Sequence, residues 1–139
     1  MPKLRILIAD PQRSARSALG MLLAAQPDLE LAGEAADLAE LLAEIKANDP
    51  DLVILDWDVL GQRIELLLDL LELVDAPPKI VGLSVRAENE EAARNAGVAA
   101  IAYRGEPPQR LLDVIRAVSL TNDRVKTPRC DATMDLNKP

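Results

Sequence analysis

The sequence predicts an α/β fold: a doubly wound, five-stranded parallel sheet in the order 2-1-3-4-5, with helices on both faces. Three observations carry the prediction. Apolar runs of strand length alternate five times with helix-period segments. Four of the five runs are rich in Val, Ile or Leu and lack a polar face, as strands covered on both sides do. The chain has 139 residues, and at roughly 150 residues per domain this is length for one core.

The strands are expected at Leu4 to Ala9, Leu29 to Gly33, Leu52 to Leu55, Lys79 to Ser84 and Ala99 to Tyr103. Between the second and third, Leu38, Leu41, Leu42 and Ile45 fall at i, i+3, i+4 and i+7, one face of a helix. Asp37, with Glu40 three residues later, marks its start in a pattern close to a capping box. The segment from Gln62 to Val74 holds more leucine than one face requires, which reads either as a wide buried face or as surface for a partner. A fourth helix, about Glu88 to Ala96, offers only alanines on its apolar side and is expected to be the least firmly held. Pro107 and Pro108 suit the start of the last helix, where a missing N–H does no harm, and Leu111, Leu112, Ile115 and Val118 form its stripe. Beyond Thr121 the periodicity ends. Residues 1–121 are thus expected to form the domain and 122–139 a C-terminal tail, with no second domain and no helix-turn-helix.

Composition narrows the chemistry. Sixteen Lys plus Arg against 23 Asp plus Glu leave a net charge of −7, and there is no histidine. A histidine general base, a histidine-ligated zinc and a phosphohistidine of the chain's own are excluded. The acidic balance disfavours DNA phosphates and anionic lipid as direct partners. One Trp and one Tyr, with no Phe, leave no aromatic ladder for stacking bases. The single cysteine, Cys130, cannot close an intramolecular disulfide and fits a reducing compartment. The apolar run after Met1-Pro2-Lys3-Leu4-Arg5 is too short for a signal peptide or a membrane span, so a cytoplasmic protein is expected.

In a doubly wound sheet, ligands bind beyond the carboxyl ends of the strands where the strand order reverses. The first strand ends at Asp10, the third at Asp56 with Asp58 two residues on, the fourth at Ser84 and the fifth at Tyr103-Arg104. Strands one and three flank the switch point, so Asp10 and Asp56 are expected to meet. Clustered carboxylates repel unless a hard cation neutralises them, and magnesium is its natural identity. A hydroxyl and a guanidinium on neighbouring strands complete a pocket for an oxyanion or phosphoryl group, in which a carboxylate can be the nucleophile. Each residue also has a plainer reading: Asp10 before Pro11 as an ordinary helix cap, Ser84 as a strand end, Arg104 as a solvated charge. Asp56 resists one, because an acid closing Leu52-Val53-Ile54-Leu55 needs water or a cation.

At these residues the sequence resembles the receiver domain of two-component response regulators, closest to the receiver half of the DNA-binding transcriptional type. The resemblance spans Lys3 to about Leu120. It is carried by Leu4-Arg5-Ile6-Leu7-Ile8-Ala9-Asp10, Gly33-Glu34-Ala35, Asp49-Pro50-Asp51-Leu52-Val53-Ile54-Leu55-Asp56 and Gly61. It implies a flavodoxin-like fold, a signalling module and no enzyme activity of its own. It further implies Asp56 as phosphoacceptor from a sensor histidine kinase, Ser84 as the switch hydroxyl, Asp10 as the first of the paired acids, and Asp58 where a backbone carbonyl binds magnesium. The metal set so implied is Asp10, Asp56 and Asp58.

The departures are specific. Pro11 stands at the second acid, the direct metal ligand, and offers no side-chain oxygen. Arg104 replaces the family lysine, a change of geometry as well as of residue. Ile101 stands at the switch aromatic and Leu60 at the loop proline. Two functions follow: a receiver that accepts phosphate at Asp56 with weakened magnesium binding, or a pseudo-receiver that keeps the partner surface without phosphate. A nucleotide-binding enzyme would need a glycine-rich loop after strand one, and Asp10-Pro11-Gln12-Arg13-Ser14 has no glycine. A homodimer through the last helix and strand is a family habit that would use Leu111, Val114 and Val118.

Overall fold

The computed structural model describes residues 2–120. The expected tail at 122–139, the domain limit at 121 and Cys130 lie outside the described residues. The chain runs β1 (Leu4–Ala9), α1 (Arg13–Ala24), β2 (Leu29–Ala35), α2 (Leu38–Asn48), β3 (Leu52–Asp56), a short 3-10 turn (Leu60–Arg63), α3 (Ile64–Leu71), β4 (Lys79–Ser84), α4 (Asn89–Ala96), β5 (Ala100–Tyr103) and α5 (Pro108–Ser119). All strand pairs are parallel and the order is β2-β1-β3-β4-β5. No helix among the described residues is long and apolar enough to cross a membrane.

Period-two alternation divides the core between the two helical layers. On β1, Leu7 and Ala9 join Val53 and Leu55 of β3 against α2, α3 and α4, while Ile6 and Ile8 join Ile54 against α1 and α5. From Ile6 to Ala9 on β1 and from Leu52 to Leu55 on β3 both faces are therefore apolar, which is why these runs show no polar side. The edge strand β2 keeps Glu30 and Glu34 exposed and runs two residues past its expected end at Gly33. Its pairing with β1 shifts between Ile6 and Leu7, passing over Ala32.

The helix boundaries follow local chemistry. Asp37 accepts the Glu40 N–H at 2.8 Å, while the Glu40 carboxylate reaches back to the Ala36 N–H at 2.8 Å, a reciprocal closure displaced by one residue from the capping box. At the other end of α2, Asp49 takes the left-handed conformation with φ of 48°, which short polar side chains tolerate. The Arg5 guanidinium reaches the carbonyls of Asn48 and Asp49 there. Pro107 and Pro108 open α5 as expected.

Two alternative readings of single residues do not hold. Asp10 does not cap α1: the helix begins at Arg13, its cap position is Gln12, and Asp10 Oδ1 instead accepts the Gln12 N–H at 2.8 Å in a tight local turn. The last helix offers no free seam at Leu111 and Val118, because both are buried in the core and Val114 packs against it. The leucine-rich segment divides its residues: Leu67 and Leu71 are buried, whereas Leu66 and Leu73 are exposed.

Candidate functional site

Register brings the strand ends together. Ala9 pairs with Leu55, Asp56 with Leu83 and Ser84 with Tyr103, so Asp10, Asp56, Ser84 and Arg104 emerge side by side at the carboxyl edge, where the strand order reverses. Asp10, Asp56 and Ser84 are the buried polar residues among those described, and each is hydrogen-bonded.

Arg104 joins the two acids. Its Nη2 donates to Asp10 Oδ2 at 2.6 Å and to Asp56 Oδ1 at 2.8 Å. Asp10 and Asp56 are 3% and 6% exposed, so two buried negative charges share one cation. Burial opposes the charge on the guanidinium, but the bonds and charges of Asp56 and Asp10 outweigh it and hold Arg104 above its ordinary range. The remaining carboxylate oxygens are also committed. Asp56 Oδ2 accepts the backbone N–H groups of Val59 at 2.9 Å and Leu60 at 3.3 Å. Arg16, one turn into α1, closes the floor by donating to the Asp10 carbonyl at 2.6 Å.

Asp58 goes elsewhere. Its Oδ1 accepts the Ser84 hydroxyl at 2.7 Å and the Asn89 amide at 3.2 Å, and its Oδ2 accepts the Val85 N–H at 3.0 Å. Burial raises its carboxyl pKa, but the bonds from Ser84 and Val85 and the charges of Arg104 and Arg86 bring it below the usual carboxylate range. The structure therefore joins Asp10, Asp56 and Arg104 in one group and Asp58 with Ser84 in a second beside it.

This donor set does not fit a divalent cation as it stands. Pro11 has no side-chain oxygen to offer, Asp58 faces the β4–α4 loop, and a guanidinium lies between the other two acids. Among the described residues, no group of three or more His, Cys, Asp or Glu side chains is placed to hold a metal ion.

Sequence reasoning missed Arg16, Asn89 and the loop N–H groups on Asp56. The first two reach the site from the first turns of α1 and α4, a placement that no periodicity encodes. Ile101, expected at an aromatic position, is buried in the core. The polar group of β5 is Tyr103, whose hydroxyl donates to Glu90 Oε1 on α4 at 2.7 Å. That bond to Glu90 and partial burial push the phenol up to about 12. The raised value means the contribution of this bond to stability is fully present below pH 10.0 and is lost as pH rises through about 12. Tyr103 is the chain's one tyrosine, so absorbance titration should give a single midpoint near 12. Glu90→Gln should bring it back toward 10.0, and a wild-type midpoint already at 10.0 would remove the bond from the account.

Fold and crevice together define a flavodoxin-like α/β domain built around converging strand-end carboxylates. No family model matches the chain. Protein-glutamate methylesterase/protein-glutamine glutaminase 1 of Caulobacter vibrioides is 32% identical over 108 residues, which is 77% of this chain and 31% of that protein. The transcriptional regulatory protein YxjL of Bacillus subtilis is 29% identical over 120 residues, 84% of this chain and 55% of that protein. The chain thus spans from about a third to a little over half of these relatives. Among solved structures, the signal receiver domain of the response regulator NarL from Mycobacterium tuberculosis superposes with a TM-score of 0.76 at 19% identity, covering 88% of this chain and all of that one, 100%. The response regulator domain of Thermotoga maritima CheB gives 0.71 at 20% identity, covering 86% and 98%. The chain has the fold of a response-regulator receiver domain.

Proposed function

We propose that this receiver domain, residues 1–121, takes a phosphoryl group on Asp56 from a sensor histidine kinase or another phosphodonor, and that it is atypical in binding magnesium weakly. The observation that carries the reading is the Arg104 guanidinium seated on both Asp10 and Asp56. It supplies, on a tether, positive charge where such a site needs it. With Oδ2 of Asp56 held by the Val59 and Leu60 N–H groups, Oδ1 is the oxygen that faces the crevice and acts as nucleophile. It forms the new bond to phosphorus while the P–N bond of a phosphohistidine, or the P–O bond of an acyl phosphate, breaks and the leaving group keeps the electron pair. Arg104 then turns from the Asp56 carboxylate to the phosphoryl oxygens.

A second reading, a pseudo-receiver that works as a protein-protein interaction module without phosphate, is favoured by Ser84 and Arg104 already being bonded to carboxylates. Incubation with acetyl phosphate followed by intact-mass measurement separates the two. The expected result is a gain of one phosphoryl group, absent in Asp56→Asn, whose rate changes less than about tenfold between saturating magnesium and a chelator. No mass gain under any condition establishes the second reading instead. A gain that needs magnesium absolutely overturns the atypical character.

A further inference from the structure

Ser84 has a single hydroxyl proton and two acceptor lone pairs, and all three are in use. The proton goes to Asp58 Oδ1 at 2.7 Å, and the oxygen accepts the Arg86 N–H at 2.9 Å and the Asn89 amide at 3.2 Å. Asp58 adds the Val85 N–H at 3.0 Å and its own bond from Asn89 at 3.2 Å. One carboxylate on the β3 loop therefore holds the end of β4, the loop after it and the first residue of α4.

The other polar tie of α4, Glu90 to the Tyr103 hydroxyl, does not reach the β4–α4 loop. Val85 is exposed, and Ala93 is the one buried residue of α4. The carboxylate is charged, and its bonds with the hydroxyl and N–H are charge-assisted, about twice as strong as neutral ones.

We propose that Asp58 is a positioning residue that keeps the Ser84 hydroxyl and the start of α4 in the resting arrangement and competes directly with a phosphoryl group on Asp56 for that hydroxyl. The competition rests on the phosphoacceptor reading above; the holding role does not. Ser84 cannot donate to a phosphoryl oxygen without first leaving Asp58, and when it leaves, Val85 and Asn89 lose the carboxylate's geometry with it. Asp58 thus opposes phosphorylation and makes it felt at α4 in a single exchange of one hydrogen bond.

Two measurements on the full chain test this. In hydrogen exchange without any phosphodonor, Asp58→Ala should raise the exchange rate of the Val85 amide at least tenfold, Asp58→Asn should give an intermediate rate because its carbonyl oxygen still accepts, and Asp56→Asn should leave it unchanged. Unchanged Val85 exchange in Asp58→Ala overturns the holding role. With acetyl phosphate, Asp58→Ala should take up the phosphoryl group at least fivefold faster than wild type, and an equal or slower rate overturns the competition. If neither protein is labelled, the phosphoacceptor reading and the competition built on it both fail, while the exchange result still decides the holding role.

Discussion

Arg104→Ala is expected to lower the unfolding free energy by about 3 kcal/mol at neutral pH, the largest effect of any single change in the crevice. Removing one partner from a buried ionic group leaves the others uncompensated, and such losses run to about 3–5 kcal/mol. The lower end applies because the Arg104 side chain keeps 26% of its surface in water. Without the guanidinium, Asp10 and Asp56 keep the backbone N–H bonds to one oxygen each but repel across the crevice through the oxygens that Arg104 had joined. Urea denaturation measures the loss. Adding Asp56→Asn to Arg104→Ala should recover roughly half of it, since residues in one ionic network couple. A loss under about 1 kcal/mol would mean that water already screens the acids as surface charges are screened.

Gly61→Ala is expected to cost about 1–3 kcal/mol, the range for forcing an extra carbon into a packed site. A Cβ at this position would lie 2.5 Å from Cδ2 and Cε3 of Trp57 and 3.0 Å from its Cγ. The indole cannot retreat, because it is 6% exposed within the core of the α2–α4 layer and its backbone N–H is bonded to the Leu83 carbonyl at 2.9 Å. Either the ring or the 3-10 turn must shift, and the turn carries the N–H groups that hold Asp56. Trp57 is the only tryptophan of the chain, so its emission reports the shift directly and chemical denaturation gives the cost. An unchanged spectrum and stability would show that the turn yields freely.

The sheet was legible because its inner strands carry apolar runs with few polar interruptions: Leu4–Ala9 and Lys79–Ser84 begin and end where expected. The convergence of Asp10, Asp56, Ser84 and Arg104 was legible too, since strand order alone brings the strand ends to one edge. What each carboxylate touches was not. Asp58 differs from Asp56 by two positions, yet one binds the loop and the other the guanidinium. That choice is made by the Ser84 hydroxyl at the end of β4 and the Val85 N–H just beyond it, 26 and 27 residues away from Asp58. The plainer reading of Asp10 as a helix cap fails for a related reason: its carboxylate takes the Gln12 N–H in a local turn, and the helix begins at Arg13. The stripe of Leu111, Leu112, Ile115 and Val118 was legible as core from its helical spacing, and the structure buries all four.

The attachment of α4 differs in kind from that of its neighbours. Ala93 is its one buried side chain, whereas α5 buries Leu111, Leu112, Ile115 and Val118. What ties α4 down instead are contacts of Asn89 with Asp58 and of Glu90 with Tyr103. Both contacts run from a neutral donor to a carboxylate held below its usual range by hydrogen bonds, so their contribution is present at neutral pH and is lost as acid protonates Asp58 and Glu90. The apolar packing of α5 has no such dependence, so the domain carries one segment whose grip answers to acidity on a body that is held by oil-like contacts.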